Sequence, residues 1–395
     1  MLTGYAHALG KVAYVVGLLA TAAAGTIAMA TETFTDVKLE GAELTAPVPS
    51  LGLRALRTEV FQKESTAWFE QRWGLRGYAV RADNTLGVEL FHETRVDQDA
   101  VVGRDGVLFT RDDLAYVNRN DPPDQTIALA RRFARLQTQL LERGTVLLPV
   151  IAPSKTSFHR DAIPTAWRRR GAFGQSDKNL YGAFVGTLEE SGALFVDGRA
   201  LLRAEVDAAT TQPEDVFARP ARHWGLAAAC RVLQASVDTV RREIRELGDE
   251  QIDCKATLDR NPSVDHVNFD IFKLLNTWKA KPAAVDVDVL VGQQSGDRLH
   301  VPTLYVGSSF VWAFAQVTRE RGALNPALCY FYDESVHDPL TTRFVKKVEP
   351  FTDTWRADTL ARRLIIVVIL ETYLPVDGVK FLGELEAEID SPHPP

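Results

Sequence analysis

The sequence predicts an α/β fold in which a mostly parallel β-sheet is flanked by helices. Two observations lead to this prediction: apolar, β-branched runs recur along the chain, and helical patterns separate them. Strands that alternate with helices in this way usually pair in parallel and are covered on both faces. We predict sheet strands at 145–151, 193–197, 301–307, 328–332 and 363–370.

The N-terminus carries a segment of a different kind. Residues 13–30 are uncharged and largely apolar, and their number is close to what a helix needs to cross a bilayer. Lys11 precedes the segment and mostly acidic residues follow it, which favours a cytoplasmic N-terminus with the rest of the chain outside. The Ala-Met-Ala triplet at 28–30 also resembles a signal-peptidase site. We therefore expect a periplasmic protein, either anchored to the inner membrane by residues 13–30 or released from a signal peptide.

The remaining elements follow in chain order. We expect a linker over 31–53, one large domain over 54–375 and an acidic tail over 376–395, disordered from Glu384 onwards. Within the domain the sequence predicts a helical region, a hairpin with a Gly-bearing turn, four further helices and an irregular excursion from the sheet. In chain order they are helix 54–91, hairpin 101–109, a helix ended by Gly144, helix 179–191, a helix after His223, excursion 250–298 and helix 310–321.

Composition excludes several classes of function. The chain has 395 residues, 46% hydrophobic and 25% charged, as in ordinary globular proteins, and its formal net charge of −7 argues against nucleic-acid binding. Three cysteines without CxxC spacing permit at most one internal disulfide and indicate no zinc site. The histidines show no ligand spacing, so we predict no metal and no cofactor.

A serine at a strand-to-helix corner is the main candidate for chemistry. The predicted strand ends in Gly307-Ser308-Ser309 and opens a helix at Phe310. Such a corner exposes the hydroxyl at the sheet edge and places backbone N–H groups at a helix N-terminus, where an oxyanion is stabilised. A serine nucleophile needs a base, and His223 stands at the start of another helical pattern.

Four short motifs in this order resemble one family. They are Gly103-Arg104-Asp105-Gly106-Val107-Leu108-Phe109, Pro153-Ser154-Lys155, His223-Trp224 and Gly307-Ser308-Ser309-Phe310. Together, behind an N-terminal apolar segment, they resemble the SGNH-hydrolase-like O-acetyltransferases of exopolysaccharide pathways, the AlgJ and AlgX type. The resemblance covers roughly residues 54–375. It implies a periplasmic enzyme that moves acetyl groups onto polysaccharide hydroxyls, with a membrane-bound O-acyltransferase as acetyl source and other exopolysaccharide synthesis or export proteins as partners.

The resemblance also implies roles for individual residues. Ser309 corresponds to the nucleophile and His223 to the general base. A substrate or oxyanion region is expected to include Gly307, Ser308, Lys155 and Trp224.

The chain departs from the family pattern at Ala221, where the family has an aspartate two residues before the histidine. Asp215 and Glu214 lie on the same predicted loop and could take its place, with Asp215 as the candidate acid, and a degenerate or altered copy of the family site is the alternative.

Two other classes of function stay open. Hydrolysis and transfer share an acyl-enzyme, so an SGNH-type carbohydrate esterase fits the same motifs. Ala221 favours a catalytically impaired scaffold in a polysaccharide modification or export complex. For single residues the simpler interpretations are a serine that only caps a helix at Ser309 and a solvated loop charge at Lys155.

Overall fold

The computed structural model describes residues 2–34, 37–42, 44–94, 100–247, 252–259, 267–278, 284–291, 301–319, 324, 327–339 and 341–391. The chain divides into two compact units. The first comprises Met1–Asp97 and Phe272–Ala280, and the second comprises Gln98–Ile271 and Lys281–Pro395. Residues 54–97, expected in the large domain, therefore group with the N-terminal segment.

The first unit is helical. Its elements are α1 (Leu2–Ala30), α2 (Leu53–Arg57), α3 (Val60–Arg72) and α4 (Arg76–Leu86), with a π-helical turn at Gly87–Phe91. Within the described residues one helix is long and apolar enough to cross a membrane, the Gly10–Ala30 part of α1. Length and composition alone support this, and a signal sequence would have the same properties.

The second unit contains the sheets. Its strands are β1 (Ala100–Val102), β2 (Leu108–Thr110), β3 (Val146–Ala152), β4 (Val196–Asp197), β5 (Ile252–Asp259), β6 (Ala284–Val291), β7 (Thr303–Gly307), β8 (Ala327–Phe331), β9 (Ser335–His337), β10 (Phe344–Lys347) and β11 (Leu364–Leu370). Seven of them form the main sheet in the order β10-β9-β8-β7-β11-β3-β4. Pairing is parallel from β8 to β4, and β9 and β10 add an antiparallel edge.

The second unit also contains helices, several of which cover the two faces of the sheet. They are α5 (Arg111–Tyr116), α6 (Asp124–Leu141), α7 (Lys155–Phe158), α8 (Thr165–Arg168), α9 (Ala183–Glu190), α10 (Gly198–Asp207), α11 (Pro213–Val216), α12 (Leu226–Val240), α13 (Asp270–Leu274, which spans the unit boundary), α14 (Val311–Arg319), α15 (Asp353–Thr359) and α16 (Val379–Ile389). Alternate residues of β11 enter two separate cores, since successive strand side chains point to opposite faces. One core contains α12 and α14, and the other contains α6, α9 and α16.

The main expectation about architecture is confirmed, because the five predicted strand positions overlap β3, β4, β7, β8 and β11. The fully buried β3 and β11 are neighbouring interior strands of the sheet, as their unbroken apolar sequences indicate. The end predicted for the helix after Ser309 lies outside the described residues, where 320–323 fall.

Two expectations are corrected. The predicted disordered tail is wrong, because α16 packs Phe381, Leu382 and Leu385 into the core, while residues 392–395 lie outside the described part. The predicted irregular excursion contains an antiparallel hairpin of β5 and β6, separate from the main sheet. The segment between these strands includes α13.

Candidate active site

Ser309 lies just beyond the carboxyl end of β7. Gly307 ends this strand, and a Cβ there would come within 2.7 Å of the Val368 carbonyl oxygen, so the close approach of β7 to β11 requires glycine. The N–H of Trp312 then donates to the Ser309 carbonyl at 3.3 Å, which opens α14. The half-buried serine hydroxyl is therefore held at a sheet edge and a helix start together.

The imidazole of His223 faces this hydroxyl. His223 Nε2 and Ser309 Oγ are 2.6 Å apart. The Phe310 ring packs against the imidazole with centroids 4.9 Å apart. The two residues expected to act as nucleophile and base are thus brought together from positions 86 residues apart in sequence.

A carboxylate on the far side of the imidazole completes the arrangement. Asp270 Oδ2 forms a short hydrogen bond with His223 Nδ1, and Asp270 Oδ1 accepts from the N–H of Arg222 at 2.7 Å. Burial by itself would raise the pKa of Asp270, but the hydrogen bond and charge of His223 and the N–H groups of Arg222 and Ile271 hold it below its usual value. Asp270 is therefore ionised at neutral pH. With a proton on Nδ1 facing Asp270, Nε2 is left to accept from Ser309.

The carboxylate at His223 is Asp270 and not Asp215, so the expected substitute acid is corrected. Asp215 Oδ2 accepts from the N–H of Gln212 at 2.9 Å in a capping box that starts α11. Glu214 pairs with Arg219 at 3.0 Å. Both acids of this loop therefore serve local structure. Nothing in the sequence marks Asp270 among the several aspartates of its polar stretch, and only the folded chain identifies it.

Lys155 is buried and does not contact solvent as a loop charge. Its ammonium donates to the carbonyl oxygens of Ala218, Arg219 and Ala221, at 2.9, 2.7 and 2.6 Å. Burial lowers the pKa of Lys155 to about 7, although the charges of Asp270 and Asp113 raise it. The expectation that Lys155 faces substrate is corrected, because its three donors are directed at the loop that precedes His223.

Trp224 belongs to the core and not to a substrate surface, which corrects a second expectation. It is fully buried, and its Nε1 donates to the Phe310 carbonyl at 3.2 Å. Its ring stacks on the Phe314 ring, with the two ring centroids 5.4 Å apart. Trp224 therefore connects the segment that contains His223 to the helix that follows Ser309. Ser308 is also buried, and its Oγ has no hydrogen-bond partner among the described residues.

The remaining motifs support the loop before His223. The N–H of Leu108 donates to the Arg219 carbonyl at 2.8 Å, and Arg219 Nη1 donates to the Asp105 carbonyl at 3.1 Å. Glu371, fully buried after β11, accepts from the N–H of Ser154 at 2.7 Å and so fixes the turn that carries Lys155. These motifs contribute geometry to the site.

The described residues include a disulfide and a free cysteine. The disulfide links Cys230 on α12, the helix after His223, to Cys254 on β5, while Cys329 is a buried free thiol. Within the described part of the chain, no cluster of three or more His, Cys, Asp or Glu side chains is arranged to hold a metal ion.

The site can perform nucleophilic acyl chemistry. A serine, an imidazole and an ionised carboxylate are joined by consecutive hydrogen bonds, which is the constellation that activates a serine hydroxyl. Helix α14 begins two residues after Ser309, and the positive end of a helix dipole stabilises negative charge that develops close to it.

Several solved structures are similar to this chain. The O-acetyltransferase domain of Pseudomonas putida AlgJ is 19% identical, with a TM-score of 0.46 over 73% of this chain and 99% of that one. Pseudomonas aeruginosa AlgX is 16% identical, with a TM-score of 0.45 over 74% and 67% of the two chains. Bacillus cereus PatB1 is 9% identical, with a TM-score of 0.43 over 69% and 96%. No curated protein matches the sequence.

A family assignment comes from the sequence itself. The sequence model of the family described as an SGNH hydrolase-like domain, acetyltransferase AlgX, matches residues 100–318. The match covers more than half of the chain and includes Ser309, His223 and Asp270. The chain therefore belongs to the AlgX family and is an SGNH hydrolase-like acetyltransferase.

Proposed function

We propose that this acetyltransferase moves acetyl groups onto hydroxyls of an exopolysaccharide, through an acetyl ester on Ser309, outside the cytoplasm. The unbroken hydrogen-bonded chain from Ser309 through His223 to Asp270 carries the proposal. It also removes the argument for a catalytically impaired scaffold. The acid that is missing at position 221 is supplied by Asp270 from another segment of the chain.

The geometry supports a two-step transfer. Ser309 Oγ attacks the carbonyl carbon of the acetyl donor while His223 Nε2 takes its proton, and Asp270 stabilises the imidazolium. The oxyanion is stabilised by N–H groups at the start of α14. Collapse expels the donor's leaving group, which takes the proton from His223. An acceptor hydroxyl then gives its proton to Nε2 and attacks the acetyl ester, and on collapse the Cacyl–Oγ bond breaks and Ser309 Oγ takes the proton back from Nε2.

Location and partners follow from the same proposal. The apolar Gly10–Ala30 segment supports an inner-membrane anchor with the rest of the chain in the periplasm. The Cys230–Cys254 disulfide is consistent with that oxidising compartment. An acetyl group used there has to be delivered across the membrane, which is a task for a membrane-bound O-acyltransferase partner. Exopolysaccharide synthesis and export proteins would supply the acceptor.

Two serine variants test the proposal. Ser309→Ala should abolish both acetyl-ester turnover and the acetylated enzyme seen by mass spectrometry, while the thermal midpoint stays nearly unchanged, because a half-buried hydroxyl contributes little to stability. Ser308→Ala is the matched control and should keep turnover, since its Oγ contacts neither His223 nor another described partner.

Equal loss of turnover in the two variants would contradict the nucleophile assignment and favour a serine that only shapes the turn. Acetyl release that never depends on an added glycan would instead support the esterase.

A further inference from the structure

Three polar residues from different elements lie at the carboxyl edge of the sheet that also carries Ser309. Arg222 immediately precedes His223, Tyr332 follows β8, and Tyr373 follows β11. We infer that Arg222, Tyr332 and Tyr373 form the subsite that holds a sugar ring of the acceptor next to acetyl-Ser309. This inference rests on the proposed function and specifies what the same site recognises.

Arg222 is fixed at its backbone and only partly satisfied at its side chain. Its N–H donates to the carboxylate of Asp270, so the residue cannot move without disturbing the acid. Its Nη2 donates to the Tyr373 hydroxyl at 2.8 Å. Its Nε is buried and has no hydrogen-bond partner among the described residues. A buried donor without a partner destabilises the free protein, so a ligand oxygen that reached it would bind favourably.

Tyr332 offers an accessible aromatic surface at the same edge. The residue is 49% exposed. Its N–H donates to the Gly307 carbonyl at 2.9 Å, which fixes its backbone two residues before Ser309 in the neighbouring strand. Its φ of +49° is in the left-handed region, an uncommon conformation for a bulky residue. Strained backbone of this kind is concentrated at ligand sites, where it is part of the mechanism.

The three groups interact electrostatically. Burial alone would lower the pKa of the Arg222 guanidinium, but Tyr373, Asp113, Tyr332 and Asp112 together raise it. The guanidinium is therefore charged and already partly balanced by two carboxylates. Because its charge is already partly balanced within the protein, this guanidinium can donate to the neutral hydroxyl and ring oxygens of a ligand. It does not require an anionic group on that ligand.

Together these features match the chemistry of a sugar. A pyranose has an apolar C–H face that packs on a phenol ring and a hydroxyl rim that accepts from a guanidinium. Small specific sites generally combine an aromatic wall with a few fixed polar groups in this way. Because the subsite adjoins Ser309, a bound ring would present a hydroxyl to the acetyl ester, which raises the effective concentration of the acceptor.

Partitioning of the acetyl-enzyme tests the inference. The full-length protein is acetylated with p-nitrophenyl acetate, and transfer to a β-1,4-linked glucose tetrasaccharide or to its uronate counterpart is compared with transfer to methanol. We expect the wild type to prefer at least one tetrasaccharide over methanol per hydroxyl. Tyr332→Ala and Arg222→Gln should lower that preference by about tenfold or more, the effect typical of a lost specific contact.

Milder variants and a control separate recognition from folding. Tyr332→Phe keeps the ring and should retain most of the preference, and Tyr373→Phe, which removes only the hydroxyl that accepts from Arg222, should lower it. Phe344→Ala, an aromatic residue of β10 that is 59% exposed, should leave the preference unchanged. A wild type with no preference for either sugar, or an unchanged preference in Tyr332→Ala and Arg222→Gln, would overturn the inference. The acetyl-Ser309 adduct is measured in the same experiment, so failure of the proposed function would be seen separately.

Discussion

The carboxylate that faces His223 comes from a residue 47 positions further along the chain. At Ala221, where the family pattern places this acid, the side chain is fully buried and the carbonyl oxygen accepts from Lys155. A single carboxylate is enough to orient an imidazole, and its position in sequence does not matter as long as it reaches Nδ1. Motif spacing is therefore a poor guide to this member of the site, although it does locate Ser309 and His223.

Replacing Asp270 measures its part in turnover. Asp270→Asn should lower kcat by a factor on the order of 10⁴, because an amide favours the wrong imidazole tautomer and cannot stabilise the imidazolium. Acetyl-ester turnover, with a thermal midpoint for each variant, is the measurement. Asp215→Asn is the control and should keep turnover, since its carboxylate caps α11.

Ala221→Asp completes this series. A carboxylate there should bring no gain in turnover, because His223 Nδ1 already has a partner in Asp270 and position 221 is buried. A large gain from Ala221→Asp, or a fully active Asp270→Asn variant, would show that Asp270 does not act on the base.

The secondary-structure elements differ in how well they can be predicted from their sequences. The buried strands β3 and β11 have unbroken apolar sequences, and α6 has an apolar stripe with Gly144 shortly after its end, so all three can be predicted from the local pattern. The sequence predicts an acidic tail where α16 ends, because Glu384, Glu386, Glu388 and Asp390 lie close together there. In α16, Glu386 and Glu388 are paired with Arg132 and Arg356, contacts that only the fold creates.

Lys155 on the short helix α7 holds the loop that precedes His223 in place. Removing its three hydrogen bonds would leave the carbonyls of Ala218, Arg219 and Ala221 without this donor, at a cost of about 1–3 kcal/mol for each that stays unsatisfied. Because the folded chain lowers the pKa of Lys155 from 10.5 to about 7, the unfolded chain binds more protons between these values. This residue's contribution to stability therefore rises with pH across that window.

Lys155→Met should be less stable than the wild type, and the difference should grow as pH is raised from about 7 towards 10. Thermal midpoints of both proteins over this range are the measurement, with turnover expected to fall because the His223 loop loosens. Lys347→Met, at an exposed lysine of β10, is the control and should show neither effect. A wild-type advantage that stays constant with pH would argue against a buried, weakly basic Lys155.

For the molecule as a whole, α1 is both the apolar segment and part of a folded unit. The N–H of Gly74 donates to the Gly25 carbonyl at 3.1 Å, and Trp73 Nε1 donates to the Ala22 carbonyl at 3.4 Å. Ala28 is only 3% exposed. Cleavage after Ala30 would remove the surface against which Trp73 and Gly74 pack, so the contacts favour a retained anchor over a removed signal peptide.

We therefore expect the full-length protein to stay in the membrane fraction with residues 1–30 attached, as shown by intact mass. Gly25→Leu should make residues 44–94 sensitive to protease, because a Cβ at Gly25 would lie 1.9 Å from the Trp73 ring and the helix would have to move away. Gly17→Leu is the matched control, since its Cβ would meet nothing within 4 Å and the substitution only adds an apolar side chain to an exposed face of the same helix. A mature protein that begins after Ala30, with Gly25→Leu and Gly17→Leu equally resistant to protease, would instead establish a signal peptide whose packing against Trp73 has no role in the mature fold.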